Sequence, residues 1–274
     1  TVPSGETVRI RTKDCFSNQL TGPQDKMDDL DWDAVNPATG PIFVEGAVAG
    51  GALKVHIDNI EFDEQTCSCT GKDEGPCGDR FEDWATHYCK VQGNTLVWDE
   101  RLSIPLRPMI GVIGVAPAGE PVNCGTPGTH GGNMDNRTIG EGCTVYFPVG
   151  QDGAYFGLGD VHGLMGDGEV CICGLECEAQ VDVRLTVIPG RCEEWPVWEK
   201  DGLWSVMCSA EDLDEAAELA RYAMLDFLRR RTGWKVQELV MLLSLIGDTA
   251  VCQVVDPLAT VRFTLRRPVF ALEF

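Results

Sequence analysis

The stretch from Cys124 to Glu178 constrains this chain more than any other. It carries PGTHGGNMDNRTIGEG and, after a short strand, GLGDVHGLMGDGEVCICGLE. Glycine loses more backbone freedom on folding than any other residue, so it gathers where tight turns or close backbone approach require it. Between these glycines stand His130, Asn133, Asp135, Glu141, Asp160, His162, Asp167 and Glu169. Two blocks of imidazole and carboxylate on glycine turns supply nitrogen and oxygen donors suited to a divalent metal. The competing reading is a pair of hairpin turns whose Asp and Asn residues cap only their own backbone.

The 274 residues are enough for one large domain or two small ones with a sizeable core. A net charge of −21 argues against nucleic acid or an anionic membrane as partner. It suits a cytoplasmic enzyme acting on neutral or cationic small molecules. The longest apolar run, Leu239–Ile246, is broken by Ser244 and is too short for a membrane span. No basic segment followed by an apolar one reads as a secretory signal. Thirteen cysteines are an odd number in a chain too long to need staples. They are expected to serve mostly as small buried hydrophobes in a reducing compartment. Thr1 reads as a trimmed start rather than an N-terminal nucleophile, because VPSGETVRI already reads as an entering strand.

Residues 6–13 alternate as a half-buried strand, and Asn36 to Pro41 is a dense turn signal. On the strand that follows Gly51, Leu53, Val55 and Ile57 share one face, and Lys54, His56 and Asp58 share the other. Residues 64–101 hold Cys67, Cys69, Cys77, Cys89 and His87, with spacing that matches no recognised zinc pattern; a flexible insertion is expected. TVYFPVG and AYFGLGD are expected as a hairpin around Gln151-Asp152-Gly153. Glu176, between Leu175 and Cys177, is too costly to bury alone and should be paired or at an edge. After residue 190 the pattern turns helical. Ser209 is expected to cap a helix that ends at Gly233, and a second helix follows over residues 235–246. The whole reads as α+β and β-dominated. A site-bearing β-rich part, 1–190, is followed by a smaller α/β part, 191–274.

Five blocks, in order, resemble the acetamidase/formamidase family: TKDCFSNQ, NPATGPIFVEGA, GTPGTHGGNMDNR, GDVHGLMGDGEVCICGLE and VCQVVDP. The resemblance implies hydrolysis of short aliphatic amides such as formamide or acetamide to carboxylate and ammonia. It also implies sandwich-like antiparallel sheets, a homodimer, and divalent ions, zinc or calcium, near an acidic pocket. The cysteine-rich segment fits the family pattern poorly, so a carbamate, a formyl-amine or a larger amide stays open as substrate. So does a non-catalytic metal-binding module.

Amide hydrolysis needs an activated water, a stabilised oxyanion and a proton for the leaving nitrogen. Asp160 and His162, two residues apart, face the same way on a strand. With Asp135 and His130 they make the expected metal set, and mixed imidazole and carboxylate donors favour zinc, with calcium next. Glu169 is the expected general base, Asp167 the second choice, and Asn133 the oxyanion donor. Asp14, Asn36 and His56 are expected at the pocket wall or as further ligands. Among the cysteines, Cys15 beside Asp14 is the one worth testing as a nucleophile.

Overall fold

Alternating apolar residues draw most of this chain into strands. The computed structural model describes residues 1–190 and 192–265; Arg191 and 266–274, within the expected C-terminal part, lie outside the described residues. In chain order the strands are β1 (Thr7–Thr12), β2 (Ala38–Ile42), β3 (Ala52–Thr70), β4 (Ala85–Val91), β5 (Thr95–Val97), β6 (Ser103–Pro105), β7 (Met109–Gly114) and β8 (Gly131–Asn133). They continue with β9 (Thr144–Pro148), β10 (Phe156–His162), β11 (Glu176–Ile188), β12 (Val197–Lys200) and β13 (Leu203–Ala210). Helices α1 (Leu213–Thr232) and α2 (Val236–Ile246) precede β14 (Gly247–Gln253) and β15 (Ala259–Leu265). The fold is therefore α+β and strand-dominated.

The strands join in one antiparallel network whose main path runs β14, β15, β13, β12, β9, β3, β11, β10, β7, β8. Its spine is the long β3–β11 pair, in register from Ala52 opposite Ile188 to Cys67 opposite Glu176. Two register shifts bend that pair, at Cys177/Ala179 and Asp182/Val183, as bulges do. Leu53, Val55 and Ile57 are fully buried against Ile110, Phe147, Val183 and Leu185 in the main core. The part after residue 190 is stitched on through β9–β12, with Val197 opposite Tyr146. Helix α1 covers the far end of the sheet, burying Met224, Phe227 and Leu228 against Val206 and Phe263. Each such large side chain contributes about 1.5–3 kcal/mol by leaving water.

Three local expectations change. Asp212, not Ser209, caps α1, accepting from the amides of Asp214 and Glu215; Gly233 ends the helix at φ 66° as expected. Ser209 instead lies in β13, bonded to Thr260 on β15, because the strand runs on past it. β9 and β10 do not form a hairpin. β9 pairs with β3 and β12, and β10 pairs with β2, β7 and β11. The Gly153 turn bonds instead to Val44 and Ala47, so the chain crosses between two regions of the sheet. Residues 64–101 are also not a loose insertion. β3 runs on to Thr70 and pairs with β4, which pairs with β5, which pairs with β6. Cys67 and Cys69 are buried beside Phe16, Leu20 and Met27. Among the described helices none is long and apolar enough to cross a membrane.

Candidate active site

The two glycine-rich blocks meet at the middle of this network. β10 ends with Asp160 and His162, antiparallel to β7, whose Gly111 lies opposite Asp160. β8 carries Asn133 alongside Val112 of β7 and delivers Asp135 just beyond it. Glu169 comes from the turn after β10, and Glu176 opens β11 directly opposite His162. Asn133, Asp135, Asp160, His162, Glu169 and Glu176 line one cavity of about 430 Å³, together with Cys15, Asn36 and Asp256. Asp135, Asp160, His162 and Glu176 are each at most 3% exposed, and Glu169 is 6% exposed.

This crowding is made possible by small residues and strained backbone. A Cβ at Gly111 would overlap Asp135 Oδ1 and stand 2.6 Å from Asp160 Oδ2. One at Gly174 would stand 2.6 Å from His162 Nδ1. Asn36, Asp135, Asp160 and Glu169 all hold positive φ, at 54°, 41°, 52° and 35°. Such conformations cost on the order of 1–3 kcal/mol each and cluster where function requires them.

His162 is the hub. Its Nε2 lies 3.1 Å from Asp160 Oδ1 and 3.1 Å from Glu176 Oε1, and its Nδ1 is 3.9 Å from Asp135 Oδ1. Burial alone would lower its proton affinity; Glu176 and Asp160 overcome that and raise it well above the ordinary value. Burial raises Asp135 well above the carboxylate range, with Asp160 and Asp256 adding repulsion. Glu169 is raised well above its usual value by burial and then by Asp135. Burial lifts Glu176 to about 7 and, with Glu169 nearby, lifts Asp256 to about 8.

Among the described residues, seven buried polar atoms around this cavity make no hydrogen bond: Asn133 Oδ1, Asp135 Oδ1, His162 Nδ1, Glu169 Oε2, both oxygens of Glu176 and Asp256 Oδ2. Glu176 Oε1 meets only the His162 ion pair, and Asp135 Oδ1 and His162 Nδ1 face each other at 3.9 Å. Unpartnered carboxylate oxygens at this depth are costly unless a cation satisfies them. Two sets of three donors lie within 4.8 Å of one another: Asp135, His162 and Glu169, and Cys15, Asp160 and Glu176. The residues present fit a divalent metal.

The other expected residues divide. Asn36 lines the cavity, and Asn133 donates from Nδ2 to Asp256 Oδ1 at 3.0 Å. His130 does not reach it. It faces an apolar groove on the other side of β8, because alternate residues of a strand point to opposite faces. Asp167 is also outside, clasped by Arg262 at 2.7 and 2.8 Å and by Arg137 at 2.9 Å. Burial would raise its proton affinity, but these arginines hold it below the usual range, which makes it a poor base. The cluster ties together the block bearing Arg137, the block bearing Asp167 and β15. Asp14 accepts from the Asn18 amide at 2.6 Å and makes a local turn. His56 is half-buried on β3, bonded to Thr144 at 2.8 Å, away from the cavity. Glu176 is paired with His162, as its cost required.

Glu176, Asp256 and Gly111 were not among the expected site residues. Asp256 is held by Gln253, which accepts from the amides of Val255 and Asp256; both lie in the VCQVVDP block. Gly111, inside the apolar RPMIGVIGV run, carried a signal only as a glycine within a strand.

Fold and cavity together define a β-dominated α+β protein built around a buried carboxylate–imidazole pocket. Residues 1–123 and 118–201 match the profile of the Acetamidase/Formamidase family, and the chain belongs to that family. An acetamidase from Bacillus halodurans superposes with a TM-score of 0.94 and 44% identity, over 96% of this chain and 89% of that one. A protein described as a predicted acetamidase/formamidase, from Thermoanaerobacter tengcongensis, gives 0.94 and 45%, over 96% and 88%. A formamidase of Methylophilus methylotrophus is 25% identical over 255 residues, 72% of this chain; the match spans 63% of that relative's length.

Proposed function

We propose that this chain is an amidase that hydrolyses the C–N bond of a small amide to a carboxylate and ammonia, with a divalent metal in the cavity. The observation that carries the reading is the convergence of unpartnered buried carboxylates and His162 from both glycine-rich blocks on one cavity, in a chain similar to proteins named acetamidase and formamidase. Asp135, Asp160 and His162 would hold the cation, with Glu176 behind His162; mixed donors favour zinc, and calcium is the second choice. A bound divalent cation supplies charge that polarises a carbonyl and lowers the pKa of water.

The chain's own residues do the rest. Glu169, through Oε2, takes a proton from the attacking water as the C–O bond forms, and returns it to nitrogen as the C–N bond breaks. Burial raises its proton affinity, which favours its holding the proton between the two transfers. Asn133 is fixed by its bond to Asp256 and offers its second N–H to the carbonyl oxygen. Nine of the thirteen cysteines are buried, which fits a cytoplasmic setting, and we take the working unit to be a homodimer. The chain divides near residue 190 into a β-rich part and a smaller α/β part, and the latter contributes Asp256 to the site.

Elemental analysis beside an ammonia assay tests this. The expected result is stoichiometric divalent metal and ammonia release from acetamide or a larger amide. A metal-loaded protein that releases ammonia from no amide would make the site a binding module.

A further inference from the structure

We propose that the preferred substrate is a primary amide with an aryl or similarly bulky apolar acyl group, and that Trp32 is the wall that receives it; this rests on the amidase reading above. The cavity, at about 430 Å³, lies within the range of roughly 300–1,000 Å³ that takes drug-sized ligands. Acetamide offers it a single methyl group. The cavity is also two-sided. Its ionisable floor suits an amide, while Phe16, Trp32, Val35, Ile172 and Val255 form an apolar wall with nothing to contact on a one-carbon acyl group.

Trp32 is held as a binding surface rather than left as a loose loop residue. It begins a short 3₁₀ turn, Trp32–Ala34, capped by Asp31, whose side chain accepts from the Asp33 amide. Gln19 grips the same turn from both sides, accepting from the Asp31 amide at 2.9 Å and donating to the Asp31 carbonyl at 3.2 Å. Ser17 donates to the Ala34 carbonyl at 2.5 Å. Behind the indole stands Trp84, ring centroids 5.8 Å apart, from the segment between β3 and β4. Gly71 makes room for it: a Cβ there would lie 2.5 Å from the Trp84 ring. Trp32 lines the cavity and nonetheless leaves 45% of its surface exposed. A clamped, buttressed and half-open aromatic face fits a planar apolar group, which gains from ring contact beyond its buried area. The cysteine-rich segment thereby acquires a role: it positions Trp32 through Trp84.

The experiment compares kcat/KM for benzamide and acetamide in wild type, Trp32→Ala, Trp32→Phe and Trp84→Ala. Wild type should favour benzamide by at least about 10-fold, and Trp32→Ala should cut that ratio by about 10-fold. Trp32→Phe should restore most of the preference, and Trp84→Ala, which acts only through Trp32, should lower it less. A wild type that prefers acetamide, or a ratio that Trp32→Ala does not move, overturns the proposal. If neither amide is hydrolysed the amidase reading falls, and calorimetry with benzamide decides this one separately. Binding that Trp32→Ala weakens about 10-fold would sustain it; absence of binding would overturn it.

Discussion

Strand β8 separates two cavities made from the same glycine-rich block. On one face Asn133 and, just beyond, Asp135 meet a set of buried acids around His162. On the other, His130 and Gly132 line a groove of about 630 Å³ walled by Val112, Val115, Pro117 and Val122. A step of a few residues thus separates a cavity dense in ionisable groups from one that is nearly all apolar. The difference teaches what makes a site out of motif residues. His130 has the right chemistry and sequence spacing but, among the described residues, no carboxylate within ion-pair distance. His162 has three within 4 Å. Strain is denser on the acidic side, where Asp135, Asp160, Glu169 and Asn36 hold left-handed backbone, than in the groove, where Tyr155 does. Conformations of that cost persist where surrounding structure enforces them.

The most severe way to break this comparison is Glu169→Gln. Removing a general base typically costs about 10²- to 10⁴-fold in rate, so ammonia release should fall by that much in kcat. Val122→Ala, at the exposed rim of the groove, should stay near the wild-type rate. Full activity in Glu169→Gln would remove Glu169 from the chemistry. Next in size is metal removal. A ligand held at a hundred times its Kd stabilises the native state by about 2.7 kcal/mol, so chelation should lower the melting temperature by several degrees. Asp160→Asn, having lost a donor, should respond little to chelator. A melting temperature unmoved by chelation in the wild type would argue against a resident cation.

Much of the acidic face is legible in the sequence. The pairing of Asp160 with His162 follows from strand alternation, and Glu176, between apolar neighbours, reads as paired or at an edge, of which the structure shows the first. The helices were legible for the same local reasons, down to the termination at Gly233. What escaped was set by tertiary pairing. His130 is two residues from β8's Gly132, and which face a short strand turns to a cavity depends on its neighbour β7, not on its own pattern. Asp167 looked like an acid in a site block; only the approach of Arg262 from β15, 95 residues away, makes it a clasp. Asp256 likewise reaches the cavity from a distant turn, and Gly111 matters only because two carboxylates come to rest where its side chain would be.

Glycine supplies the next sharpening. Gly111→Ala forces a Cβ onto Asp135 and Asp160, and overpacking of this kind costs about 1–3 kcal/mol. Gly114→Ala, on the groove side of β7, would put a Cβ 2.5 Å from the His130 carbonyl oxygen and 2.9 Å from the Gly132 nitrogen, so it should destabilise comparably. The two should part in metal content, with loss at Gly111 and retention at Gly114. Equal retention in both would show that the carboxylates need not sit as close as they do.

The smallest expected effect lies with His130. Burial beside the apolar groove lowers its proton affinity below the ordinary histidine value. The unfolded chain therefore binds a proton more readily than the folded one between about 6.5 and the lowered value. Stability contributed by keeping the ring neutral is complete above about pH 6.5 and is lost as pH falls toward the folded-state value. His130→Gln should flatten the decline in melting temperature just below pH 6.5 while leaving metal content unchanged. No carboxylate lies within ion-pair distance of His130 to reverse that sign among the described residues, whereas His162 is surrounded by them. A histidine that instead stabilised the fold on the acid side would place a negative group in the groove. The contrast between the two faces of β8 would then no longer stand.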